Sequence, residues 1–278
     1  MMLLAILSIV VCSTLMALVI LRLGIYSSAP IFVTLILISV YFAKEGNIIP
    51  LSCVIGTGVL ALILRVTRSL SSVLVLAPWV VIIWVLMLSQ FAEPYLEKLL
   101  FQVKEVFSEF ENQLLENAEL NNNKQATNKL ISQLPELSGN YLLGNIALIQ
   151  MILSLMSLFF ARSLQSRLYN PEGWRKEFHQ LRFTRIGLLT LLFGILGCTS
   201  LVEFQYWTWL FALPLLVSGV AIVHSCAKIK KLNGQWLIGF YIILIIFAPL
   251  IPILILLVMI DHWIDVRGRL QQKINNFN

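Results

Sequence analysis

"LSSVLVLAPWVVIIWVLMLSQF", residues 70–91, runs for 22 residues without a charged side chain. As a helix it would reach about 33 Å, enough to cross a hydrocarbon core of about 30 Å. Water is absent at that depth, so the backbone amides must bond within the segment, and a helix satisfies them. Working outward, seven more predominantly apolar stretches follow the same reasoning: 2–21, 25–43, 49–66, 142–161, 186–202, 207–226 and 236–260. Composition agrees. Hydrophobic residues make up 59% of the chain and charged residues 12%, against about 25% charged in a soluble domain. A membrane barrel would show short alternating segments instead, and none appear. The expected fold is all-α: a polytopic transmembrane helical bundle of about eight spans with an extracytoplasmic amphipathic helical insert.

The chain divides accordingly. Residues 1–91 hold membrane helices one to four, 92–141 the insert, and 142–161 helix five. Residues 162–185 form a basic elbow, 186–260 helices six to eight, and 261–278 a polar tail. The first span lacks the positive start and small-residue cleavage site of a signal peptide, so it is expected to be retained. Cys12, Cys53, Cys198 and Cys226 all fall in spans or at a span end, with the spacing of neither a disulfide framework nor a metal site, and read as packing residues.

Orientation comes from the loops. The elbow carries six basic residues against Glu172 and Glu177, a net +4. "KIKKLNG" (228–234), Arg65 with Arg68, and Arg22 mark three further basic loops, each an even number of crossings from the elbow. Short basic loops stay in the cytoplasm, which places the elbow there. Eight full crossings would put the tail outside. However, the last span contains "APLIP" (248–252), and proline removes helix hydrogen bonds, so a broken or re-entrant span would return the tail to the elbow side. The insert has eight glutamates against four lysines, a net −4, and is expected on the outer face. Leu96, Leu99, Val103, Val106, Phe110 and Leu114 form a helical stripe in it, with Pro94 suited to the first turn. Beyond "NNNKQ", residues 126–137 read as a second short amphipathic piece.

Little chemistry is visible in the spans. All fourteen carboxylates lie in loops, the tail or span ends, which argues against a proton relay within the membrane. "GxxxxGK[ST]", "HExxH" and "GxSxG" are absent, and His179, His224 and His262 lack metal-ligand spacing. No catalytic residue, metal or cofactor is expected. Span five is the exception in polarity. It carries Asn145 and Gln150 followed by Ser154 and Ser157, with 150, 154 and 157 on one face, so these four are the candidate solute contacts, or else hydrogen-bond across helices. Gly187, Gly194, Gly197 and Cys198 in span six, and Ser13 with Ala17 in span one, would let a neighbouring helix approach closely. Trp79, Trp84, Trp207, Trp209 and Trp236 read as interface anchors.

The elbow contains "LYNPEGWRKEFHQLR" (168–182). Asn170 suits a helix N-cap, Pro171 the first helical position and Glu172 the positive helix end. Trp174, Phe178 and Leu181 fall on one face and Arg175, Lys176, His179 and Arg182 largely elsewhere. This is the pattern of an interfacial helix with its apolar side in the headgroups. Trp174, Arg175, Lys176, His179 and Arg182 are thus candidate contacts for lipid or a partner.

Together with "MIDHWIDVRGRL" (259–270), this segment resembles the YybS-like bacterial membrane family of uncharacterised function. The resemblance implies a multi-pass location in a bacterial inner membrane, four spans, an outer helical insert and four more, and a distant similarity to the substrate-binding membrane subunits of energy-coupling-factor transporters. It implies no catalytic residues. The first expectation is therefore a transport-related subunit that binds a small solute from the outer face. The second is a scaffold recruiting a cytoplasmic partner through residues 162–185, and the third is an enzyme acting on lipid head groups, with Glu172, Glu177 and His179 as an acid–base set. Expected partners are the lipid bilayer and a cytoplasmic or membrane protein; nucleic acid is not expected.

Overall fold

The computed structural model describes residues 2–44, 46–120, 131 and 137–275. It is all-α, with no strand among the described residues. Four helices come first: α1 (Met2–Leu23), α2 (Ile25–Lys44), α3 (Ile49–Thr67) and α4 (Leu70–Phe91). The insert contributes α5 (Glu93–Leu120), and α6 (Gly139–Tyr169) follows. The elbow holds the short α7 (Gly173–His179). Next come α8 (Arg185–Ser200), a 3₁₀ turn (Val202–Trp207) and α9 (Thr208–Ile229). The chain closes with α10 (Gly234–Ile246), α11 (Leu250–Ile264) and α12 (Val266–Asn275). The second amphipathic piece expected at 126–137 lies, apart from Ile131 and Leu137, outside the described residues.

Six of these segments are long and apolar enough to cross a membrane: α1 to α4, α6, and the 3₁₀ turn continued by α9. The chain is thus a multi-pass membrane protein. Two of the eight expected spans take another form. α8 has 16 residues, about 24 Å, yet it joins the elbow to the opposite end, where Tyr206 packs on Tyr141 at 4.8 Å. The last span is a bent pair, α10 and α11 meeting at 119°. Pro249 and Pro252 supply no amide hydrogens there, and Leu250 and Ile251 fall back on tight bonds to Phe247 and Ala248. Both ends of this hairpin lie at the elbow, so the tail shares that end and does not emerge opposite it.

Small residues set the packing. A methyl group on Gly56 would lie 2.5 Å from Ser154 Oγ, and one on Gly194 would overlap the Phe211 ring. Helices α3 with α6, and α8 with α9, therefore approach more closely than larger side chains permit. A methyl on Gly219 would meet Leu254 Cβ and its carbonyl oxygen at 2.9 Å, which seats α11 directly on α9. Of the small residues in α8, Gly187 adjoins Val75, whereas Gly197 faces open space. Met16, Leu60, Leu74, Met151, Leu158 and Leu215 fill the core between the helices. Two tryptophans expected at the interface belong to the interior: Trp207 is buried, and Trp84 donates to Ser52 Oγ at 2.9 Å. Trp79, Trp209 and Trp236 remain exposed. At the outer end, Tyr95 donates to the Gly46 carbonyl at 3.0 Å and anchors the start of α5.

Candidate functional site

The basic turns converge. Arg65 donates to the Ile20 and Leu21 carbonyls at 2.9 Å, and Arg22 lies over the Tyr169 ring at 3.5 Å. Arg162 pairs with Glu177 at 2.8 Å. The turns after α1, α3, α6 and α9 thus gather at one basic end, with the tail among them.

The tail is held there by a buried ion cluster. Asp261 is 2% exposed and Arg267 7%. The Arg267 guanidinium donates to Asp261 Oδ2 from Nε at 3.1 Å and Nη2 at 2.8 Å. It also donates to the carbonyls of His179 (2.7 Å) and Leu181 (3.0 Å). Arg182 reaches Asp261 at 3.4 Å and pairs closely with Asp265. Asp265 is in the left-handed region, φ 52°, and accepts the Gly268 amide at 3.0 Å. The Arg182 guanidinium holds the Asp265 carboxyl below the usual carboxylate range. Residues 168–182 and 259–270 are therefore joined by hydrogen bonds.

Beside this cluster the elbow covers a cavity of about 930 Å³. Its apolar wall includes Phe159, Trp174, Phe178, Leu216, Val217 and Val220, and its polar rim is Arg167, Arg175, Lys228, His179 and His224. No carboxylate lines it among the described residues. The aromatic rings form a chain: Phe159 to Trp174 at 5.4 Å, Trp174 to Phe178 at 5.7 Å, and Phe178 edge-on to His224 at 5.9 Å. From the cavity rim, His224 Nε2 hydrogen-bonds Tyr241 Oη at 2.8 Å. His179 Nδ1 is buried without a partner among the described residues. Burial, aided by the positive charges of Lys228, His224, Arg175 and Arg267, lowers the His179 pKa to about 4, so the ring is neutral at pH 7.

The elbow helix differs in detail from its expected form. Its N-cap is Glu172, in the left-handed region at φ 72°, because Asn170-Pro171-Glu172-Gly173 closes a tight turn through Gly173 N–H to Asn170 O at 3.0 Å. The apolar face turns inward and not to headgroups: Leu181 is buried, and Trp174 and Phe178 pack on the core. Of the five expected contact residues, Trp174, Arg175 and His179 line the cavity. Lys176 is exposed and pairs loosely with Glu172 at 3.8 Å, and Arg182 belongs to the tail cluster.

The polar residues of α6 sit elsewhere. Gln150, Ser154 and Ser157 are buried where α6 meets α1 and α3. Gln150 donates to the Ser52 carbonyl at 3.2 Å, Ser157 donates to Leu153 O at 2.8 Å, and Thr14 donates to the Ser157 carbonyl at 3.2 Å. Gln150 Oε1 and Ser154 Oγ have no partner among the described residues. Asn145 is apart from them, donating to Tyr141 O at 2.8 Å. The cavity residues that sequence reasoning missed are Arg167, His224 and Lys228. A signal existed: His224 and Lys228 are four apart at the end of an apolar helix, so they share a face. No family model, curated protein or solved structure matches the chain.

Proposed function

We propose that this protein binds a small anionic solute with an apolar body in the cavity under the elbow, as a transport-related membrane subunit. The observation that carries the reading is the cavity's composition: about 930 Å³, with aromatic walls, three permanent cations and no carboxylate among its described lining. That size lies within the range of small-molecule sites, and an apolar lining with a few placed polar groups is their usual form. Arg167, Arg175 and Lys228 would meet the anionic group, the Trp174 and Phe178 rings the apolar body, and His179 Nδ1 would gain the partner it lacks. The basic end is proposed to face the cytoplasm of a bacterial inner membrane, because its turns carry most of the chain's arginine and lysine.

Native mass spectrometry of the purified chain should reveal a co-purifying anionic small molecule. Its occupancy should fall about tenfold or more in Arg175→Gln/Lys228→Gln, the loss of one or two charge-assisted contacts. A ligand-free protein whose unfolding temperature ignores a panel of amphiphilic carboxylates and phosphates would remove the support for this reading.

A further inference from the structure

We propose that a second site, formed by Arg22, Arg65, Arg68 and Arg162 on the far side of the elbow from the solute cavity, binds a phosphate group, carried by an anionic lipid or free in solution. These side chains come from three separate parts of the chain and line one recess of about 400 Å³ with a single carboxylate, Glu177. Glu177 is committed to Arg162, whose third nitrogen donates to Gln165 Oε1 at 2.7 Å. Three positive charges therefore remain uncompensated.

Each of the three is presented in a form that suits phosphate. Arg65 uses only Nη1 on the Ile20 and Leu21 carbonyls; its Nε and Nη2 have no acceptor among the described residues. It is laid down over Gly24, which takes φ 94° and where a methyl group would stand 3.0 Å from Arg65 Nη2. The turn after α1 is thus shaped to let this guanidinium pass. Arg22 lies over the Tyr169 ring, its Cζ 3.5 Å from the centroid, a cation–π contact that holds the guanidinium in place while its N–H groups have no acceptor among the described residues. Arg68 occupies the left-handed cap of α3, φ 51°, a position that glycine fills without strain. Its side chain is exposed and has no protein partner among the described residues. Forked guanidinium groups bind phosphate oxygens in pairs, which a lysine point charge cannot do. The recess opens at the ends of α1, α3 and α6, the depth at which headgroups of anionic lipids stand.

The test uses the full chain. In one arm it is reconstituted in phosphatidylcholine nanodiscs with and without phosphatidylglycerol, and retained phosphatidylglycerol is counted by native mass spectrometry. In the other, inorganic phosphate and pyrophosphate are titrated into protein held in zwitterionic micelles. Arg22→Gln/Arg68→Gln should weaken whichever binding the native chain shows by roughly tenfold or more. Arg269→Gln/Lys273→Gln, which removes the same charge at the same end, should leave it within roughly twofold. Arg68→Gly guards against misfolding: it relaxes the backbone, so it should weaken binding without lowering the unfolding temperature. Retention of lipid alone assigns the site to a headgroup, whereas a response to phosphate or pyrophosphate assigns it to the free anion. No binding in either arm, or equal losses in the two double variants, would overturn the proposal.

Discussion

Asp261 accepts the backbone amide and two guanidinium nitrogens of Arg267 while almost wholly buried. Asp261→Asn leaves the Arg267 charge desolvated without its counterion. Such a break costs about 3–5 kcal/mol, read as a large drop in unfolding temperature in micelles. Adding Arg267→Met should recover much of it, because the unpaired charge is then gone. His179 gives a pH signature. Folded, its pKa is about 4 against an ordinary 6.5, so between those values the unfolded chain binds more protons and stability falls as pH is lowered. The loss begins near the ordinary value and is complete below about 4. His179→Asn should flatten that part of the profile of unfolding temperature against pH. Asp265, paired with Arg182 and held below its ordinary value, adds a second loss that begins at the ordinary carboxylate pKa and continues below it, under the window of His179.

At the scale of elements, the hairpin of α10 and α11 depends on Gly219. Alanine there would push a methyl group against the Leu254 backbone, which cannot rotate away, so Gly219→Ala should cost about 1–3 kcal/mol by overpacking. Proteolysis of the tail should rise in parallel if α11 is displaced. The long helices were legible in the sequence because the requirement is local: about twenty apolar residues either are present in a row or are not. "APLIP" was legible as a break for the same reason, since the missing amides belong to Pro249 and Pro252 themselves. What was not legible was the consequence of the break. Whether a kinked span continues or returns depends on where its far end is bound, and Arg267 finds its acceptors 86 and 88 positions away. The elbow helix failed in a related way. Its amphipathic spacing showed one apolar face, but spacing does not say whether lipid or protein covers it.

Across the whole molecule, the convergence of basic turns and the returned tail make one end electropositive and leave α5 at the other. In a background lacking the four native cysteines, Ser108→Cys and Ser138→Cys should react with an impermeant thiol reagent in intact spheroplasts. Lys176→Cys and Gln271→Cys should react only after permeabilisation, and must behave alike because elbow and tail are bonded. Opposite behaviour of that last pair would separate the tail from the elbow. The candidate site was half readable at this scale. Trp174, Arg175 and His179 stand out as an island between apolar runs, whereas Lys228 and His224 join them only through the packing of α9 beside α7.

With the basic end in the cytoplasm, the hairpin also bears on biogenesis. Asp261, Asp265, Arg267, Arg269 and Lys273 are then never carried across the bilayer, although they follow the most apolar part of the chain. The final helix pair can leave the translocon sideways and insert from the side of synthesis, after the elbow has already emerged from the ribosome. Closure of Arg267 onto the His179 and Leu181 carbonyls then waits until residue 267 has been made, and a nascent chain halted before residue 261 would present an elbow without that closure.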